Sequence, residues 1–367
     1  MKKILLLTRP ICPPWDEGSK NFAYTLAKHA SDFEIHLLTC GKVNGLPQNV
    51  IQHPIYSSPN LNLKQKFRLF RFLKNFKDYD ILHSLFTPTK LNSTFLRFSL
   101  KNNVKVIQTV ATLREDLYNA KDFRKILFGD QIITYSDYAK EKLEKMGFSN
   151  VRRIYPGIDL EKYSPAPKNA ELMKKYKTSD DDFVINYTGE YVRLGDMDDI
   201  VDSFIDLAES HKNFKLHLAV RVKNQRDAAK KKEVEKKLEK AGCLDRVAFM
   251  HDQSYEMQDV YNLADISIFP ARTMAGKFDI PLAVVEAMAC GKPVIASDLA
   301  RLKYFLNNES SILIPAGNRE ALKENILYLY NNPEARDDLA RRGIEFVRKN
   351  FDIMKVMKEY EKAYAEL

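Results

Sequence analysis

The chain has 367 residues, 45% of them hydrophobic and 11% aromatic, which is material for two packed cores and excludes an intrinsically disordered protein. Thirteen glycines and fifteen prolines are ordinary numbers and exclude collagen-like or low-complexity architecture. A net charge of +9 favours anionic partners, whether phosphates, nucleic acid or acidic membrane, without choosing among them.

The chain opens with Met1-Lys2-Lys3, but the apolar run that follows, residues 4–7, meets Arg9 and Pro10 almost at once. A signal peptide needs about 7–15 apolar residues there, and a membrane span about 18. The expectation is a cytoplasmic protein that can still sit on the inner face of a membrane. Cys12, Cys40, Cys243 and Cys290 are far apart and lack metal-ligand spacing, so they read as reduced thiols rather than a disulfide framework or a zinc site.

Short β-rich runs alternate with amphipathic helical patterns, the signature of βα units. Strands are expected at 3–8, 34–39, 80–83, 104–110, 131–135 and 151–154, with helices such as 19–30 and 137–145 between them. Several strands are apolar without strict alternation, as in parallel sheets covered on both faces. Residues 155–182 carry three prolines, a lysine-rich stretch and Asp180-Asp181-Asp182, and read as an interdomain connection. The rhythm then restarts, with strands expected at 183–188, 215–220, 246–250, 266–269, 293–296 and 311–314. The segment 230–240 reads as an exposed, alternately charged helix, and everything after Asn318 as helical.

In doubly wound domains ligands collect beyond the carboxyl ends of strands. The first strand runs into Pro13-Pro14-Trp15-Asp16-Glu17-Gly18-Ser19, where Gly18 either presents an N–H to an anion or simply opens a helix. Neither a P-loop nor a G-x-G-x-x-G is present. Near 281–290, Glu286 stands among Val284, Val285, Ala287, Met288 and Ala289. A carboxylate there needs a partner, either a ligand hydroxyl pair such as a ribose, or a backbone amide or lysine. Asp180-x-Asp182 lies in the connection and Asp196-x-Asp198 at a helix start, where acidic residues are favoured anyway, so neither reads as a metal site.

These segments resemble the retaining glycosyltransferases of family four. The loop ending in Glu17-Gly18-Ser19 looks like that family's Gly-rich loop, Tyr155-Pro156-Gly157-Ile158-Asp159 like its domain junction, and 261–270 followed by 281–293 like its donor-binding signature. The resemblance spans essentially the whole chain. It implies the GT-B fold, an α/β architecture of two Rossmann-like doubly wound parallel-sheet domains facing a cleft. The implied domains are an acceptor-side domain at 1–160, with 352–367 packing back on it, and a nucleotide-sugar domain at 161–351. The implied activity is transfer of a hexosyl group from a nucleotide-sugar donor to a glycan or lipid-linked acceptor, with retention at the anomeric carbon. No cofactor and no metal are expected.

Carried across by position, Glu286 is expected to bind the donor ribose, Phe278, Asp279 and Ile280 to bring main-chain groups to the sugar, and Gly18 to approach the diphosphate. Three departures stand out. Phe278 replaces the first glutamate of the Glu-x7-Glu motif, leaving Asp279 to supply a carboxylate. Ala111 and Thr112 stand where a strand-end histidine is expected. Arg193 is the one obvious cation left in the Gly189–Gly195 segment, with Arg221 and Arg272 as further candidates at other strand ends. Asp279 and Arg193 are therefore the expected catalytic pair. Met250 and His251 are expected beside the nucleotide base, and His83 either reaches the cleft or is a structural histidine.

Two other readings arise from the departures: a non-catalytic paralogue that binds nucleotide-sugar or glycan, and another GT-B enzyme such as a sugar-nucleotide epimerase. A nucleic-acid partner is not expected, since no recognition motif accompanies the positive charge. Within 61–77, Leu69, Phe72, Leu73 and Phe76 form one core-facing stripe and leave Lys64, Phe67, Phe70, Arg71, Lys74 and Lys77 opposite. That face suits an anionic membrane; alternatively its two phenylalanines pack beneath a neighbouring loop.

Overall fold

The apolar runs become strands of two wholly parallel sheets in a computed structural model that describes residues 1–13, 15, 18–100, 103–250 and 255–367. The first sheet contains β1 (Lys3–Ile11), β2 (Glu34–Thr39), β3 (Val50–His53), β4 (Ile81–Ser84), β5 (Lys105–Val110), β6 (Gln131–Thr134) and β7 (Val151–Arg153), in the order 3-2-1-4-5-6-7. The second contains β8 (Phe183–Tyr187), β9 (Phe214–Leu218), β10 (Val247–Phe249), β11 (Ile266–Phe269), β12 (Val294–Ser297) and β13 (Ile312–Ile314), in the order 10-9-8-11-12-13. Each order reverses once, between β1 and β4 and between β8 and β11, which creates one switch point per sheet.

The first unit comprises Met1–Gly157, Phe278–Ile280 and Phe351–Leu367; the second comprises Ile158–Lys277 and Pro281–Asn350. Residues 278–280, read from the sequence as part of the second domain, thus group with the first. The helix Ile353–Ala365 is also built into the first unit. Its Tyr360 and Tyr364 are fully buried, and the Tyr360 ring lies 5.7 Å from that of Phe22 in the helix Gly18–His29. Gly157 permits this packing, because a Cβ there would lie 2.6 Å from the Ile353 side chain.

Local differences from the sequence expectation have simple causes. β3 is an edge strand in which only Val50 is buried, so it lacks the apolar signal of its neighbours. β1 continues to Ile11 through Pro10, at the cost of a register shift against β2. The connection at 155–182 contains a short helix, Ala170–Lys175, capped by Asn169.

The helix Leu63–Asn75 buries Gln65, Leu69 and Leu73, while Phe72 and Phe76 are only partly covered. Two members of the expected exposed face are withdrawn from it. The Phe70 ring packs 5.3 Å from Phe95 of the helix Lys90–Ser99, and Lys77 Nζ donates to the carbonyls of Leu73 (2.7 Å) and Ser99 (3.3 Å). Phe67 stays 67% exposed, and the neighbouring helix adds Leu91 at 72% and Phe98 at 82%.

Candidate functional site

The end of β8 is organised by a buried tyrosine. Tyr187 Oη donates to the Asp196 carboxylate at 2.9 and 3.0 Å and accepts from the Glu190 N–H at 3.2 Å, which folds the 188–196 turn back on the strand. Gly189 is required there, since a Cβ would lie 2.1 Å from the Tyr187 hydroxyl oxygen. Burial pushes the Asp196 carboxyl up to about 7, although the tyrosine bond opposes it.

The turn presents Glu190 to three cations. Its Oε1 pairs with Arg193, with Lys277 Nζ at 3.1 Å and with Lys223 Nζ at 3.3 Å. Burial alone would raise this carboxyl; Lys277, Arg193 and Lys223 together pull it down to about 2. Lys277 is itself lowered, chiefly by burial, with Glu190 opposing. The three cations follow different strands of the second sheet: Arg193 after β8, Lys223 after β9 and Lys277 after β11. One carboxylate facing three cations leaves a surplus of positive charge beyond the strand ends.

Glu286, on the helix Leu282–Ala289, has two tyrosine hydroxyls for partners. Tyr261 Oη donates to Oε2 at 2.8 Å, and Tyr163 provides a second bond. Burial raises the Glu286 carboxyl, and the two hydroxyls oppose the shift.

At the ends of β5 and β6 the polar groups of the first unit are consumed internally. The Asp279 N–H donates to Ala111 O at 2.9 Å; its carboxylate accepts from Leu113 N–H (3.3 Å to each oxygen) and from Ser136 Oγ (3.4 Å), and its side chain is fully buried. Ser136 also caps the helix Asp137–Lys145 by accepting from Ala139 N–H. His83 is fully buried, with Nδ1 2.7 Å from Tyr364 Oη and Nε2 2.7 Å from Thr109 Oγ1, and burial pushes its pKa down to about 3.

Two family models match the chain: "Glycosyl transferases group 1" over residues 168–346 and "Glycosyltransferase Family 4" over 17–162. This chain is a glycosyltransferase of that family. An uncharacterized glycosyltransferase of Methanocaldococcus jannaschii is 26% identical to it over 372 residues, covering 96% of both chains. The capsular polysaccharide biosynthesis glycosyltransferase CapM of Staphylococcus aureus is 26% identical over 243 residues, covering 64% of this chain and 58% of CapM. Among solved structures, sucrose-phosphate synthase from Thermosynechococcus elongatus superposes with a TM-score of 0.80 at 19% identity, covering 100% and 99% of the chains. Anabaena HepE, solved with UDP and glucose, gives 0.78 at 16% identity over the whole of both. These likenesses establish the GT-B fold.

In this glycosyltransferase the expected residues divide by environment. Arg193 joins the cation cluster, while Arg272 is committed to Asp199 through bonds of 2.7 and 2.8 Å. Arg221 is partly buried just beyond β9. Met250 packs with Val260 and Leu263 at 1% exposure, so its side chain offers no surface to a base, and His251 lies outside the described residues. Gly18 occupies the first position of its helix, where backbone N–H groups have no intrahelical acceptor. Phe278 sets its ring edge-on to Tyr135 at 5.9 Å, Ile280 is fully buried, and Thr112 is buried after β5. Asp279 is fully buried against Leu113 N–H and Ser136 Oγ, and His83 is fully buried between Tyr364 and Thr109. Sequence reasoning missed Lys223 and Lys277; their signal was a lysine a few residues past a predicted strand, visible only once the strand order is known. Among the described residues, no group of three or more His, Cys, Asp or Glu is placed to hold a metal ion.

Proposed function

We propose that this glycosyltransferase moves a hexosyl group from a nucleotide-sugar to a glycan or lipid-linked acceptor, retaining the anomeric configuration and using lysine and arginine charge in place of a metal ion. The observation that carries the reading is the cluster of Arg193, Lys223 and Lys277 around Glu190. A departing nucleoside diphosphate gains negative charge in the transition state, and fixed cations at that point stabilise it without reorganisation. Glu286, held by Tyr163 and Tyr261, supplies an acceptor for ribose hydroxyls. HepE was solved with UDP and glucose, which supports a donor of that class here. The test is a panel of nucleotide-sugars scored for nucleoside diphosphate release on adding acceptor, with the product's anomeric configuration read by NMR. An inverted product refutes retention. Activity abolished by chelator and restored by a divalent ion assigns the leaving group to a metal.

The acceptor side of the proposal is a lipid carrier in an anionic membrane. Leu63, Phe67 and Phe70 follow i, i+4, i+7 on one helix, and Leu91, Phe95 and Phe98 do the same on the next. The Phe70–Phe95 contact joins the two stripes. Lys64, Lys66, Arg71 and Lys74 are exposed on the first helix. Rings that enter the headgroup boundary beside cations that meet acidic lipid describe an interfacial surface, and four cations contribute about 4 kcal/mol at about 1 kcal/mol each. Among the described residues, no helix is long and apolar enough to cross a membrane. Phe67→Ser with Phe98→Ser should abolish sedimentation with phosphatidylserine liposomes at low salt. A wild-type protein that stays in the supernatant removes the membrane from the proposal.

A further inference from the structure

The two N-terminal cysteines, 28 positions apart in the sequence, meet in the fold. β1 and β2 are parallel neighbours whose last paired residues are Ile11 and Thr39, so the next residue on each strand is a cysteine. The Cys40 N–H still donates to Ile11 O at 3.4 Å, which keeps the two backbones adjacent beyond the formal strands. The sulfurs of Cys12 and Cys40 lie 2.6 Å apart as free thiols, against about 2.05 Å for a disulfide bond. Neighbouring backbones in a sheet are about 4.8 Å apart, inside the Cα separation a disulfide spans. The sulfur contact and the Cys40 N–H bond to Ile11 O bring the two residues within reach of such a bond.

We propose that Cys12 and Cys40 form a redox-active dithiol that exchanges with an oxidised low-molecular-weight thiol to give a reversible internal disulfide. Cys40 is partly exposed and Cys12 is buried, so exchange enters at Cys40. The Cys40 thiolate attacks one sulfur of the small disulfide, forming a mixed disulfide and expelling one small thiolate. The Cys12 sulfur then attacks Cys40 Sγ, closing the Cys12–Cys40 bond and expelling the second. Two protein thiols lose two protons and two electrons, and the small disulfide becomes two thiols. Burial and the Cys12 neighbour push the Cys40 thiol up to about 12, with the charge of Lys20 opposing, so exchange is slow at neutral pH and quickens as pH rises. The bond would fasten the end of β1 to β2 six residues ahead of Gly18.

The experiment equilibrates the full chain across a series of reduced-to-oxidised glutathione ratios, quenches with acid, alkylates under denaturing conditions, and reads intact mass and peptide maps. The reduced end should carry four alkyl groups, one for each cysteine. The oxidised end should carry two, with the mass about 2 Da lower before alkylation and a cross-linked peptide pair containing Cys12 and Cys40. Dithiothreitol should restore all four. Cys12→Ala should trap glutathione on Cys40 with no cross-link. The proposal is overturned if the wild type takes four alkyl groups at every ratio, keeps glutathione on Cys40 without closing the bond, or links either residue to Cys243 or Cys290. The wild-type map decides the matter even if a variant fails to fold.

Discussion

The six strands of the second sheet repeat the order of the first six in the first sheet, yet the carboxyl ends of the two differ in kind. In the first unit, His83 is answered by Tyr364 and Thr109, and Asp279 by Leu113 and Ser136, so polarity is used to close the structure. In the second, Glu190 is outnumbered by Arg193, Lys223 and Lys277, and Glu286 is oriented by two tyrosines. Topology supplies the same place beyond both sets of strand ends, and only in the second unit do unbalanced cations gather there.

The comparison breaks most visibly at Lys277. Lys277→Ala should lower kcat/KM for sugar transfer by about 100- to 1,000-fold, the range seen when one fixed donor to a developing anion is removed. A loss under about threefold would remove the cluster from the donor site. Glu286→Ala should weaken donor binding by about 10- to 150-fold, as expected for a hydrogen bond to a charged group. A lower melting temperature with wild-type donor affinity would make Glu286 structural instead. His83→Ala sharpens the other side: it leaves two buried hydroxyls without their partner, costs about 1–3 kcal/mol of stability, and should spare turnover per folded molecule. Turnover falling with stability unchanged would mean that the first unit hides a catalytic group.

Tyr261→Phe removes one of the two bonds to Glu286, and a typical net bond of about 1 kcal/mol predicts a donor KM about fivefold higher with kcat retained. A last test concerns pH. An aspartate ionises near 3.9 in the unfolded chain, but Asp196 does so at about 7 in the native one. Between these values the unfolded state releases a proton that the native state keeps, so this group lowers stability as pH rises from about 4 to about 7, and no further above that. Asp196→Asn should flatten this part of the melting-temperature profile, each kcal/mol corresponding to about 2–4 °C in a unit of this size. An unaltered profile would show that Asp196 ionises normally.

Most strands were legible in the sequence because a strand covered on both faces must be an apolar run, whatever its neighbours. β3 was hidden because an edge strand needs only one buried residue, Val50. Glu286 was legible because a carboxylate in an apolar helix demands a partner, although tyrosine hydroxyls could not be foreseen as that partner. Lys223 and Lys277 were not legible. Each is an ordinary surface lysine until β9, β8 and β11 are laid side by side. The grouping of residues 278–280 with the first unit was hidden for a related reason: it rests on the bonds of Asp279 to Leu113 and Ser136, far away in the sequence. The proximity of Cys12 to Cys40 likewise depends on strand register, which no spacing rule reports.

The Tyr364–His83 bond has a consequence for how the protein is made. A ribosome releases the chain from residue 1 onward, yet the first unit stays unfinished until the stretch beginning at Phe351 has emerged. Through most of synthesis, His83 and the groove along Phe22 lack their covering tyrosines, whereas the second unit draws none of its residues from beyond Asn350. Order of translation and order of completion are therefore reversed. The half made first is finished last, and a nascent chain paused before residue 351 would expose the apolar seat of the helix Ile353–Ala365 to chaperones.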